Sequence, residues 1–107
     1  MREYKIKFPS GYQGVDLHND NIDVNLIFPD GKVYFATLFT LENISSLMNK
    51  ENSSFFWASD MVILKDLKQE TIYKALDELI EKDYLSLILS ELGTIEKIYS
   101  FKKYDEI

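Results

Sequence analysis

The strongest constraint on the fold is a hairpin signal in the first third of the chain. Two alternating apolar segments, residues 22–28 and 33–39, flank the tripeptide Pro29-Asp30-Gly31. Proline presets φ for the first position of a turn, and glycine accepts the left-handed conformation that closes a bulged hairpin. Because the second segment is apolar on both faces, we expect a central strand that is covered on at least one side.

Before the hairpin, residues 3–8 alternate as a half-buried strand does, and residues 9–21 have the Gly, Ser, Asn and Asp content of an irregular loop. After it, apolar residues at helical spacing predict a helix that begins at Leu41, with Thr40 as its N-cap. The apolar run at residues 55–65 then predicts a buried strand.

The remaining third of the chain is mainly helical in pattern. An amphipathic helix is expected over residues 68–81, with Asp66 and Gln69 resembling a capping box. A short helix over residues 84–92, stopped by Gly93, should follow. The tail from Thr94 fits either a helix or an edge strand at residues 98–101.

The predicted order is therefore β-β-β-α-β-α-α, followed by a tail of undecided structure. A length of 107 residues suits one domain, residues 1–107. Strands joined by a hairpin favour a mainly antiparallel sheet of about four strands, with two to three helices packed on one face. This is an α+β fold.

Composition excludes several classes of function. The chain has no cysteine, so disulfides, thiolate metal sites and cysteine nucleophiles are absent. Eighteen acidic against twelve basic residues give a net charge of −6, which disfavours nucleic acid and anionic lipid as partners. No apolar run approaches the roughly 18 residues of a membrane helix, and residues 1–5 lack the apolar segment of a signal peptide. We expect a cytoplasmic protein that binds neither nucleic acid nor membranes.

No residue pattern names a reaction. His18 is the only histidine, which excludes metal sites with two or more histidines. Its neighbours Asp16, Asn19, Asp20 and Asp23 lack the spacing of a calcium-binding EF-hand loop, and a solvated loop with Asx turns is the favoured interpretation. The expectation is a protein without catalytic residues, metal or cofactor.

Asp60 breaks the pattern of its surroundings because it lies inside the apolar run of residues 55–64. A buried, unpaired carboxylate costs several kcal/mol, so its oxygens must find donors or reach the surface. It is either a bulge or capping residue that accepts backbone N–H groups, which is the favoured interpretation, or part of a binding site with Ser59 and Trp57. Trp57 is by default a core anchor, and a half-exposed tryptophan would instead anchor an interface.

Three segments carry a resemblance to a known group of proteins. Residues 33–44 (VYFATLFTLENI), residues 56–63 (FWASDMVI) and Asp66-Leu67 resemble small acidic bacterial immunity proteins of contact-dependent inhibition and other polymorphic toxin systems. The likeness covers residues from about 20 to 92. It implies a non-enzymatic protein that binds one cognate toxin domain and blocks its active site.

An acidic domain suits a basic toxin, such as a nuclease, because carboxylates can mimic phosphates and opposite charges speed encounter. The residues expected at the partner surface are Asp16, Asp20, Asp23, Trp57, Asp60, Glu70, Asp77 and Glu81.

Two other classes of function stay open. One is a protein-interaction or regulatory module that forms a homodimer through an exposed strand edge, at the N-terminal strand or the tail. The other is a small-molecule or metal-binding enzyme that uses Asp60, Ser59 and His18.

Overall fold

The computed structural model describes residues 3–100 and 102–107, and it confirms an α+β fold with a mixed sheet of five strands and four helices. The strands are β1 (Lys5–Lys7), β2 (Asn21–Ile27), β3 (Lys32–Thr40), β4 (Met61–Leu64) and β5 (Ser90–Thr94). The helices are α1 (Leu41–Glu51), α2 (Gln69–Glu81), α3 (Leu85–Ile88) and α4 (Ile95–Ile98), and a 3-10 turn covers Tyr104–Glu106.

The sheet is centred on β3, which has two neighbours along its outer edge. On its inner side β3 pairs antiparallel with β2, and β2 pairs antiparallel with β1. On its outer side, residues 37–40 pair with the parallel strand β4, whereas residues 32–35 pair with the antiparallel strand β5. The two short strands therefore follow one another along a single edge of the sheet, which we call the β4–β5 edge.

The predicted hairpin is confirmed. The Phe28 N–H donates to the carbonyl of Lys32 at 2.9 Å, and the Gly31 N–H donates to the carbonyl of Phe28 at 2.9 Å. Gly31 has a φ of 94°, a conformation that a side chain would strain. β3 is the central strand that its apolar pattern predicts, since it is hydrogen-bonded on both sides.

The predicted N-cap of the first helix is also confirmed, because the Thr40 hydroxyl accepts the backbone N–H of Asn43 at 3.1 Å. No residue of α1 is buried. Its polar side bonds to the start of β2 and to the residues just before that strand: Asn21 donates to Asn43 at 2.9 Å, and Asn19 donates to Ser46 at 3.4 Å. The helix thus lies towards β2.

The main core lies between α2 and one face of the sheet. Ile72 and Leu76 of α2 are fully buried against residues of β2 and β3, such as Val24, Leu26 and Leu38. Burying such side chains contributes about 1.5–3 kcal/mol each. The last turns of α2 reach the opposite edge of the sheet from β4.

The predicted capping box at α2 is wrong. The N-cap is Lys68, which makes no side-chain cap bond. Asp66 instead accepts the Lys68 backbone N–H at 3.0 Å. The hydrogen bond with the Thr71 side chain holds the pKa of the Asp66 carboxyl below its usual value. Burial acts in the opposite direction, and the bond from the Lys68 backbone lowers the pKa further.

The other face of the sheet is covered at the hairpin end by the C-terminal segment. Ile95 packs against Ile27 and Val33, and the partly buried Tyr99, Tyr104 and Ile107 complete this second cluster. The tail therefore begins as a helix, α4, and Phe101 of the alternative edge strand lies outside the described residues.

The expected buried strand over residues 55–65 is wrong in its first half, because only Met61–Leu64 forms β4. Asp60 has a φ of 56°, which ends the extended conformation. Residues 32–35 of β3 already pair with β5 on the outer side of the sheet, so residues 55–60 have no strand with which to pair. Phe56 packs edge to face on Phe39 at 5.2 Å between ring centroids.

The expected helix over residues 84–92 is wrong in its second half. α3 ends at Ile88, and Leu89 turns to an extended conformation with a ψ of 148°. Leu85 and Leu89 are buried as helical spacing predicts. The unpaired half of β3 offers backbone hydrogen bonds, so the chain continues as β5, where Gly93 sits at a register shift with a φ of 149°.

Candidate partner-binding surfaces

An open cleft of about 870 Å³ lies where the start of β1, the hairpin turn and the last turns of α2 meet. We call it the acidic cleft, and it is lined by Glu3, Tyr4, Phe28, Pro29, Asp30, Asp77, Ile80 and Glu81. The described residues around it contribute four carboxylates and no basic side chain. Clefts that carry one sign of charge concentrate ions of the opposite sign.

The floor of the acidic cleft is aromatic and held in place. The Tyr4 hydroxyl donates to an Asp77 carboxylate oxygen at 2.6 Å, which joins β1 to α2. The Tyr4 and Phe28 rings lie 6.0 Å apart, and Phe28 meets Tyr34 edge to face at 5.7 Å. A rim of carboxylates above aromatic rings suits a cation with an apolar stem, such as a lysine or arginine side chain.

Two of the expected partner residues, Asp77 and Glu81, line this cleft. Asp77 is half-buried, and its carboxylate accepts the Tyr4 hydroxyl, so it is held in place at the cleft rather than fully solvated. Glu70 lies in the first turn of the same helix. Eleven residues along a helix span roughly 16 Å, so Glu70 is not part of the cleft that Glu81 lines.

Glu3 and Asp30 belong to the acidic cleft and were not among the expected residues. Antiparallel pairing of Lys5 with Ile27 brings the start of β1 beside the hairpin turn. The sequence carries no signal for this placement, because the closeness of residue 3 to residue 29 follows from the register of β1 on β2, which the structure alone provides.

The loop acids are engaged in local hydrogen bonds. Asp16 accepts the backbone N–H of His18 at 3.0 Å and that of Asn19 at 3.2 Å, which is the predicted Asx turn. Asp20 accepts the N–H of Asp16 at 3.1 Å. Asp23 lies on β2 and accepts the Thr37 hydroxyl at 3.0 Å. Asp20 and Asp23 line a shallow cleft of about 280 Å³, away from the acidic cleft.

Asp60 joins the two strands of the β4–β5 edge. One carboxylate oxygen accepts both the backbone N–H and the hydroxyl of Ser90, each at 2.8 Å. The carbonyl of Asp60 accepts the N–H of Thr37 at 3.0 Å. This is the backbone-capping role that the favoured interpretation gave to Asp60, and its part in partner binding stays a prediction.

Trp57 is 73% exposed, so its default interpretation as a core anchor is wrong. It belongs to a larger set of exposed apolar side chains that lie in α1, along the β4–β5 edge, or in segments that flank it. Among the described residues this set comprises Leu41, Phe55, Trp57, Ile63, Tyr84, Leu87, Ile88, Leu92 and Ile98. None of them lies between Glu3 and Thr40.

In residues 3–100 and 102–107, no three His, Asp or Glu side chains are grouped so that they could hold a metal ion. No helix within this part of the chain is long and apolar enough to cross a membrane.

Comparison with known proteins adds no assignment: neither a protein family, nor a curated protein, nor a solved structure matches this chain.

Proposed function

We propose that this protein is a non-enzymatic immunity protein of the cytoplasm that binds a basic toxin domain through the acidic cleft. The observation that carries the proposal is the gathering of Glu3, Asp30, Asp77 and Glu81 from three separate elements around one aromatic floor. A lysine or arginine side chain of the toxin would enter this cleft, and the bound immunity protein would then block the active site of the toxin.

The charge of the whole molecule supports the same partner. A net charge of −6 attracts a basic protein over a distance of about a Debye length, roughly 8–10 Å at physiological salt. The cleft volume of about 870 Å³ exceeds what one side chain needs, so a loop of the toxin that carries more than one basic residue fits it.

Growth rescue tests the function. The C-terminal fragment encoded by the open reading frame immediately upstream is expressed with and without this protein. Growth that stops with the fragment alone and resumes when this chain is present would support an immunity role. A toxic fragment against which this chain gives no protection would refute that pairing.

A charge reversal tests the site. Glu81→Lys places a positive charge at the cleft, and Glu51→Lys is a matched control because both glutamates are exposed and end their helices. Toxin affinity should fall by about tenfold or more for Glu81→Lys, equivalent to about 1.4 kcal/mol, and stay within about twofold for Glu51→Lys. Equal effects of the two variants on toxin affinity would show that the acidic cleft is not the binding site. The immunity function, which growth rescue tests separately, would not be refuted by that result.

A further inference from the structure

The three strands that border the described sheet are protected to different degrees. β1 carries Lys5 and Lys7 and is followed by Pro9, and β5 contains Gly93 at a register shift. Charges, proline and irregularities of this kind keep an edge strand from pairing with other chains. β4, the segment Met-Val-Ile-Leu, has none of them.

The outer side of β4 has free backbone groups. The carbonyl of Asp60 points to Thr37 of β3. Because the direction of the backbone N–H and C=O groups alternates along a strand, those of Val62 also point to β3, whereas those of Met61 and Ile63 point away from the sheet. In the described part of the chain, no hydrogen bond is made to these outward N–H and C=O groups. Ile63 is also 50% exposed.

The helices next to β4 leave this edge open. α2 begins at Gln69 and crosses the sheet to Asp77, which bonds to Tyr4 at the β1 edge. α1 leans towards β2 through Asn43 and Ser46.

We propose that β4 pairs antiparallel with β4 of a second copy of this chain, about a two-fold axis at Val62. This register opposes Met61 of one copy to Ile63 of the other, so that the outward groups form four backbone hydrogen bonds. In this register Lys65 of each copy lies opposite Ser59 of the other copy. The positive charge of Lys65 is then close to the negative charge of Asp60 in that other copy.

The apolar area suits a dimer of this kind. Phe55 and Trp57, which precede β4, are 68% and 73% exposed. Together with Ile63 they present about 400 Å² per copy, since aromatic side chains measure 150–250 Å². Complete burial of these three side chains in both copies would remove at most about 800 Å² from solvent before the strands are counted, and a biological interface requires roughly 1,000 Å². The dimer does not depend on the proposed function, because the acidic cleft lies at the other side of the sheet.

The mass in solution gives the first test. Light scattering after size exclusion, at about 1 to 100 μM to span a micromolar Kd, should give twice the 12.5 kDa of the chain at the higher concentrations. Ile63→Lys should give a monomer with unchanged circular dichroism. Leu87→Lys, which alters an 80% exposed residue of α3, should stay dimeric. A wild-type monomer throughout, or a dimer that survives Ile63→Lys, would overturn the proposal.

Cross-linking tests the register. The chain has no cysteine, so a single introduced one reports one site. Val62 faces itself across the axis as a non-hydrogen-bonded pair with Cα atoms about 4.5 Å apart, within disulfide range. Val62→Cys should cross-link under mild oxidation more completely than Leu87→Cys, although Leu87 is the more exposed. The reverse order would contradict the register and the interface.

Discussion

Replacing Thr40 by valine tests how the first helix and the loop before β2 are held to the sheet. The Thr40 side chain is fully buried at the end of β3. Its hydroxyl accepts the N–H of Asn43 at 3.1 Å and the N–H of Asp20 at 3.3 Å, and it donates to the carbonyl of Asp20 at 3.4 Å. One oxygen therefore connects three segments of the chain.

The cost of this substitution can be estimated from these contacts. Loss of an N-cap costs about 0.5–2 kcal/mol, and the half-buried N–H of Asp20 loses a further bond worth about 1 kcal/mol. Valine has the shape of threonine, so no cavity opens, and its added methyl group offsets part of the loss. The net destabilisation of Thr40→Val should be about 2 kcal/mol, or a fall in Tm of about 9 °C for this chain length.

Urea unfolding followed by circular dichroism measures the change. Thr37→Val is the matched control, because Thr37 lies in the same strand and its half-buried hydroxyl donates to the Asp23 carboxylate. Loss of this one hydrogen bond should cost about 1 kcal/mol, which is less than the cost of Thr40→Val. Thr40→Ser keeps the hydroxyl and should recover about half of the loss. Equal free energies of unfolding for Thr40→Val and Thr37→Val would refute the assignment of Thr40 as the connection.

Three further outcomes are expected. Leu76→Ala in the main core should lower the free energy of unfolding by about 2–5 kcal/mol. Leu87→Ala, at an 80% exposed position, should change it by less than about 0.5 kcal/mol. Similar costs for the two variants would contradict the placement of α2 against the core. Asp60→Gly, which keeps the left-handed backbone but removes a carboxylate that accepts two hydrogen bonds, should cost about 1–2 kcal/mol, and an unchanged urea midpoint would refute its role in joining β4 to β5. Hydrogen bonding with Thr71 lowers the pKa of Asp66 in the folded state, so the stabilising effect of the Asp66 carboxylate is present above the unfolded pKa and is lost as pH falls through the folded pKa. The difference in Tm between wild type and Asp66→Asn should therefore shrink below about pH 4. A difference that is constant with pH would contradict this.

Much of the fold could be predicted from the sequence because the signals are local. The hairpin depends on a proline and a glycine at fixed turn positions, the first helix on the Thr40 cap, and α2 on a stripe of apolar residues such as Leu76. Each of these is decided by residues within one or two turns of chain. The Asx turn at Asp16 is equally local.

The candidate site was only partly predictable, since its members come from distant segments. Asp77 and Glu81 could be chosen as acids on α2, but Glu3 and Asp30 join them only because β1 pairs beside the hairpin. Asp60 stood out as a charge in an apolar run, yet its partner Ser90 lies 30 residues further along the chain.

Competition for the outer edge of β3 was decided by the tertiary structure alone. Residues 55–60 have the pattern of a strand, whereas residues 90–92 were expected to belong to a helix. The half of the outer edge at residues 32–35 of β3 accommodates only one segment, and β5 occupies it. Because β5 takes that position, Phe55 and Trp57 are left in solvent rather than in the core. The sequence alone determined which segments are apolar and where turns and caps form, whereas backbone pairing between remote segments decided which apolar residues are buried and which form a surface.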